Sequence, residues 1–251
     1  MRIAAIQADL LWEDPETNRR RFTERLWAAA GAGANLVLLP EMFPTGFSMA
    51  STEIAEESDG TTVQWMCDQA RTHDVHLAGS LATVGDPLPT NRLVLAGPEG
   101  VVGHYDKIHP FSYSGEHQHY SAGRDFLTAD VGGLRTTFFI CYDLRFADEF
   151  WATAPDTDLY VVVANWPRAR RTHWQTLLAA RAIENQAYVA AVNRVGTDGN
   201  DLDYAGDSMI LDPMGNVLAS ASESETILLA DVDAEEVTRV RKRFPFMTDR
   251  R

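Results

Sequence analysis

The sequence predicts an α/β fold built around mixed β-sheet. Apolar, β-branched runs of about four to seven residues recur along the whole chain, bounded by Gly, Pro, Asn or Asp. Segments of helical periodicity separate several of these runs, as in βαβ units with buried parallel strands. Elsewhere two runs follow one another across a Pro- or Asp-rich turn, as antiparallel hairpins do.

The elements follow in chain order. Residues 3–8 form a first strand and no signal peptide, because no charged n-region with a long apolar core precedes them. Residues 18–30 form a helix, with Phe22, Leu26 and Ala29 on one face after the polar start Pro15-Glu16-Thr17. Residues 36–39 form a second strand and residues 61–72 a second helix. Strands 77–81 and 91–96 are joined through Asp86-Pro87-Leu88-Pro89. Strands 137–140 and 159–164 come next. The helix over 171–185 follows Pro167 and carries Trp174, Leu177, Leu178 and Ala182 at helical spacing. Residues 187–193 form another strand. Strands 208–211 and 226–230 read as a hairpin-like pair around Asp212-Pro213-Met214-Gly215-Asn216. Residues 237–251, with Arg241-Lys242-Arg243-Phe244-Pro245, read as a basic tail that either docks or frays. No linker and no repeat divides the chain, so residues 1–251 are expected to form one domain.

Composition narrows the function. With 251 residues, 45% of them hydrophobic, the chain can bury a large core and is not disordered. No apolar run approaches the roughly 18 residues that span a bilayer. The net charge of −14 argues against nucleic acid or an anionic membrane as partner. The two cysteines, Cys67 and Cys141, have no CxxC partner, and the seven histidines show no zinc spacing. Free thiols, a reducing cytoplasmic compartment, and no metal or cofactor are therefore expected.

Three residues carry the chemistry. Cys141 ends the run Thr137-Phe138-Phe139-Ile140, at a strand tip where the chain turns toward a helix. Such turns display a nucleophile and aim backbone N–H groups outward. Glu41 ends the run Leu36-Val37-Leu38-Leu39-Pro40, where loss of hydration makes a carboxylate a better base. Lys107 ends another partly apolar run, as a donor to a developing oxyanion. Strand ends in an open α/β sheet converge on one crevice, so base, donor and thiol form a coherent set.

At these residues the chain resembles the nitrilase superfamily of carbon–nitrogen hydrolases. The resemblance runs through Leu39-Pro40-Glu41-Met42-Phe43, Tyr105-Asp106-Lys107-Ile108-His109-Pro110-Phe111 and Ile140-Cys141-Tyr142-Asp143-Leu144-Arg145-Phe146. It implies a catalytic triad of Glu41, Lys107 and Cys141. It implies that Glu116 orients the lysine and that the Tyr142 N–H completes the oxyanion hole. It also implies a four-layer α-β-β-α sandwich with two mixed sheets, no cofactor, and a homodimer.

Within the superfamily the chain is similar to the ω-amidase (2-oxoacid amidase) branch. The shared segments include Met42–Met49, Gly115–Gly123, Asn165-Trp166-Pro167 and Ala180–Gln186. That branch implies a small-molecule substrate, a dicarboxylate monoamide such as 2-oxoglutaramate or 2-oxosuccinamate. The carboxylate distal to the amide then needs a cationic anchor. Arg168 is the first candidate, with Arg170 and Arg171 as alternatives. Phe43, Phe47 and Trp166 are expected to wall the pocket. Asp143 and Arg145 are expected to brace the turn after the nucleophile, and Arg181 and Glu184 to form an ion pair. A deaminated-glutathione amidase, an N-carbamoyl amide hydrolase and a non-catalytic binding protein on the same scaffold stay open.

Overall fold

The computed structural model describes residues 1–250. Its first half runs β1 (Arg2–Gln7), α1 (Pro15–Gly31), β2 (Leu36–Leu38), α2 (Ser51–Ile54), α3 (Thr61–His73), β3 (His76–Thr83), β4 (Thr90–Gly97) and β5 (Gly100–Asp106). The second half runs β6 (Thr128–Val131), β7 (Leu134–Ile140), α4 (Ala147–Thr153), β8 (Leu159–Ala164), α5 (Arg171–Asn185), β9 (Tyr188–Asn193) and β10 (Val195–Thr197). It finishes with β11 (Asp203–Leu211), β12 (Val217–Ser222), β13 (Thr226–Asp231) and α6 (Ala234–Arg243).

The strands form two mixed sheets. The six-stranded sheet has the order β13-β1-β2-β3-β4-β5. Within it β1, β2 and β3 are parallel, while β13, β4 and β5 pair antiparallel with their neighbours. The seven-stranded sheet has the order β10-β11-β9-β8-β7-β6, with β12 also on β11. Its centre, β7-β8-β9, is parallel.

Side-chain alternation sets the layers. In β1, Ile3 and Ala5 join Phe138, Val161 and Ala190, which share one face of the second sheet, in the core between the sheets. Ala4 and Ile6 point the other way, against Phe22, Leu26 and Ala29 of α1 and Val63, Met66 and Ala70 of α3. Each large aliphatic or aromatic side chain buried this way contributes about 1.5–3 kcal/mol. Helix α5 covers the far face of the second sheet with Trp174, Leu178 and Ala182. The result is the α-β-β-α sandwich that the resemblance implied.

One sequence expectation is corrected and one open alternative is decided. The turn 212–216 does not join strands 208–211 and 226–230. It leads into β12, which pairs with β11, while β13 crosses to pair with β1 in the other sheet. Strand β12, Val-Leu-Ala-Ser-Ala-Ser, lacks a strong apolar run, which hides it. Of the two alternatives for the tail from residue 237, docking is the one seen over residues 237–243. Residues 237–243 complete α6, whose Val237 and Val240 are buried and whose cap Asp233 accepts from the Glu235 N–H at 2.9 Å. Arg241 of this helix donates to the carbonyls of Thr157 and Asn185 at 2.7 and 3.1 Å.

The topology places the candidate chemistry at one rim. Cys141 directly follows β7, Asn165 follows β8, Lys107 follows β5, and Glu41 lies just beyond β2.

Candidate active site

Cys141 opens a 3-10 turn, Cys141–Arg145, and takes φ 46°, the left-handed region that non-glycine residues avoid. Such a conformation costs about 1–3 kcal/mol and persists only where the surroundings hold it. Here they do. The carboxylate of Asp143 is fully buried and accepts from the Ile140 N–H at 3.1 Å, the Tyr105 hydroxyl at 2.8 Å and the His109 N–H at 2.9 Å. The buried Arg181 donates to the Leu144 carbonyl from Nε at 3.1 Å and Nη2 at 2.8 Å, and to Glu184 at 2.7 Å. Asp143 therefore braces the turn as expected, and Arg181 grips it as well as pairing on its helix.

Glu41, Lys107 and Glu116 meet in one buried cluster beside the thiol. Lys107 Nζ lies 2.8 Å from Glu41 Oε1 and 3.1 and 2.9 Å from the two oxygens of Glu116. Two asparagines complete the cluster. Asn91 Nδ2 bridges the carboxylates, donating to Glu41 Oε1 at 2.9 Å and Glu116 Oε1 at 3.2 Å. The Asn165 N–H donates to Glu41 Oε2 at 2.8 Å. Glu116 also accepts from the Phe111 N–H. Each carboxylate is thus fixed by several donors, as burial requires. Asn91 was missed from sequence; its signal was a lone amide inside an apolar strand.

The electrostatics follow from burial. Burial pushes the Cys141 thiol well up, the neighbouring Glu41 charge adds to this, and Lys107 only partly opposes it. Burial alone would weaken the Lys107 ammonium, but the Glu116 and Glu41 carboxylates outweigh that and hold it well above its ordinary range. Burial raises the Glu116 carboxyl, against the pull of Lys107. The sulfur is therefore a thiol at rest and needs a base to react.

Of these groups, Cys141 and Lys107 open onto a cavity of about 230 Å³ lined also by Tyr142, Phe47 and Trp166. Lys107 Nζ sits 5.1 Å from the Phe47 ring centroid. Phe43, expected in the same wall, lies instead in the core under α1 and α3. There it meets Phe22 at 5.5 Å and Trp65 at 5.7 Å between ring centroids. Its amide bonds to Ser80 O at 3.1 Å, which turns the side chain inward.

The arginines also sort themselves. Arg168 does not line the cavity. Both of its terminal nitrogens bind Glu223, Nη1 to Oε1 at 2.7 Å and Nη2 to Oε2 at 2.5 Å. Arg171 pairs with Asp207 at 2.7 Å and Glu223 at 3.2 Å. Arg170 does line the cavity, 5.2 Å from the Phe111 ring, and its carbonyl accepts from Trp166 Nε1 at 2.9 Å. Arg145, expected only to brace the turn, lines it too, its guanidinium carbon 4.7 Å from the Trp166 ring centroid. Neither Arg145 nor Arg170 has a carboxylate partner among the described residues. Also among the described residues, no group of three or more His, Cys, Asp or Glu side chains is placed to hold a metal ion. Both cysteines are free.

Comparison with known proteins agrees with this geometry. The chain is 40% identical to omega-amidase YafV of Escherichia coli K12, over 99% of this chain and 96% of that one. It is 34% identical to 2-oxoglutaramate amidase of Bacillus subtilis, over 98% and 96% of the two chains. Among solved structures, a CN-hydrolase superfamily protein of Xanthomonas campestris, with an arsenic adduct in its active site, superposes with a TM-score of 0.95. It shares 41% identity and covers 100% of this chain and 97% of its own. The carbon-nitrogen hydrolase family matches residues 2–242. This chain is a hydrolase acting on amides and belongs to the carbon-nitrogen hydrolase family.

Proposed function

We propose that this protein hydrolyses the terminal amide of a small 2-oxo dicarboxylate monoamide, 2-oxoglutaramate or 2-oxosuccinamate, to the acid and ammonia. One observation carries the reading. A buried thiol and ammonium, with the Glu41 carboxylate behind them, share a cavity with two guanidiniums that have no acid partner among the described residues, in a chain of net charge −14. A substrate carboxylate supplies the missing acid, and charge-assisted bonds to guanidinium are strong and directional. The names of the relatives point the same way. Arg145 and Arg170 replace Arg168 as the anchor, because Glu223 already occupies Arg168.

In this mechanism Glu41 takes the Cys141 proton as the sulfur attacks the amide carbon. The oxyanion is held by the Tyr142 N–H, which the first turn of a helical segment leaves without an intrahelical acceptor. Lys107 joins it by trading its longest bond, the 3.1 Å contact to Glu116 Oε1. The C–N bond breaks as Glu41 returns the proton to the leaving ammonia. Glu41 then deprotonates a water, which attacks the thioester carbon; the C–S bond breaks, the acid leaves, and Glu41 passes the proton to the Cys141 sulfur, restoring the thiol and the base. Glu116 and Asn91 act as positioning residues that keep Lys107 and Glu41 aimed at the sulfur.

Ammonia release from 2-oxoglutaramate, 2-oxosuccinamate, glutamine, butyramide and a simple nitrile, measured side by side, tests the reading. The 2-oxo amides are expected to lead by kcat/KM. A lead by glutamine or by the nitrile overturns it. We also propose a cytoplasmic homodimer; a single monomer mass by light scattering at micromolar concentration would contradict the dimer.

A further inference from the structure

We propose that His173 is a positioning residue for substrate selectivity, acting through Arg145. The inference rests on the reading that the cavity takes an anionic amide, and it names what aims one of the two free guanidiniums.

Arg145 is the fifth residue of the turn that begins with Cys141, so its backbone is fixed with the nucleophile. Its side chain is long and would sample many rotamers if left alone. Besides the Tyr142 ring, 5.9 Å away, two closer contacts restrict it. The guanidinium carbon lies 4.7 Å from the Trp166 ring centroid, which holds the group against that wall but leaves it free to slide and rotate. Arg145 Nη2 lies 3.1 Å from His173 Nδ1. A guanidinium can only donate, so Nδ1 is the acceptor and the ring proton sits on Nε2. This bond fixes the remaining rotation.

The choice of partner matters. The neighbouring Arg168 and Arg171 are held by Glu223 and Asp207, whose charges satisfy them. Arg145 is held by an imidazole, which orients the group without neutralising it. One edge of the guanidinium is spent on His173, and the full positive charge stays available to the cavity. A carboxylate at position 173 would orient Arg145 equally well and cancel its pull on an anionic substrate.

The place of His173 supports this. It lies in the first turn of α5, beside Trp174, which is fully buried and anchored through Nε1 to the Asp207 carbonyl at 2.8 Å. The imidazole is therefore presented from a rigid helix and not from a loop.

The test compares His173→Phe, which keeps a ring of similar size but removes the acceptor, with His173→Asn, whose side-chain oxygen can stand near the position of Nδ1. KM and kcat are measured for 2-oxoglutaramate and for butyramide, an uncharged amide. H173F is expected to raise KM for 2-oxoglutaramate by about three- to tenfold, the scale of one hydrogen bond to a charged group in a half-exposed site. Its kcat, and both constants for butyramide, are expected to stay within about twofold of wild type. H173N is expected to recover most of the loss. A structural role alone would move both substrates together, and that result overturns the proposal, as does an H173F enzyme with unchanged selectivity. Wild-type enzyme showing no preference for the anionic amide overturns the substrate reading itself, and the two failures are thus told apart.

Discussion

Replacing Lys107 by Met removes the cation from a buried cluster while keeping the length of the side chain. In the wild type the ammonium touches Glu41 and Glu116 at 2.8 and 2.9 Å, and all three side chains are essentially inaccessible to solvent. Breaking a buried pair by removing one partner costs about 3–5 kcal/mol, since charge is left without compensation. At about 2–4 °C per kcal/mol for a chain of this size, the melting temperature should fall by roughly 6–20 °C near neutral pH. The loss should also depend on pH. Burial already raises the Glu116 carboxyl, and Lys107 is the largest influence pulling it down. Without the lysine its folded value rises further above the unfolded value of about 4.3. A carboxyl raised in the folded state contributes stability below its unfolded value, and that contribution is lost as pH rises through the folded value. K107M should therefore lie closest to wild type at pH 5 and fall further behind toward pH 8. Thermal melts followed by circular dichroism across that range measure the gap. A gap that is constant with pH, or a melting temperature within 2 °C of wild type throughout (~1 kcal/mol), would refute the claim that Lys107 neutralises this cluster.

Three further outcomes are expected. Arg170→Ala should raise KM for 2-oxoglutaramate by about ten- to a hundredfold with little change for butyramide, whereas Arg168→Ala should leave both near wild type; steady-state kinetics on the two amides decide this. Alkylation of Cys141 by iodoacetamide should accelerate steadily with pH above neutrality, because burial pushes the thiol up. A rate already at its plateau at pH 6 would mean a preformed thiolate. Glu41→Gln should lower kcat by about 10²–10⁴ while the protein stays folded, as loss of a general base does; a loss under tenfold in the ammonia assay would remove Glu41 from that role.

Much of this molecule could be read from its sequence, for identifiable reasons. Helices α1, α3 and α5 carry apolar faces at helical spacing, and the buried parallel strands are continuous apolar runs. The weaker elements escaped because their signal is compositional and not periodic. Strand β5 exposes Val101 and Val102 at a sheet edge, and β12 uses Ala and Ser. Helix α6 is mostly charged, with buried apolar positions only at Val237 and Val240. Within the site, Glu41, Lys107, Glu116 and Cys141 were legible because each ends a run or sits in a recognisable motif. The wall was not. Phe43 and Phe47 lie four residues apart in one loop, yet a backbone bond to Ser80 sends the first into the core. Arg168, Arg170 and Arg171 look equivalent in sequence. What separates them is Glu223 and Asp207, more than thirty residues away, which claim the first and the third. Selection by a distant acid leaves no local pattern.

The central claim is that Cys141 carries the acyl group of the substrate. Enzyme mixed with 2-oxoglutaramate and quenched in acid within milliseconds should show, by intact and peptide mass spectrometry, Cys141 bearing the substrate less ammonia. Cys141→Ala should show neither this adduct nor ammonia release. Ammonia release by C141A at a rate near that of wild type, or an adduct on any residue other than Cys141, would contradict the account.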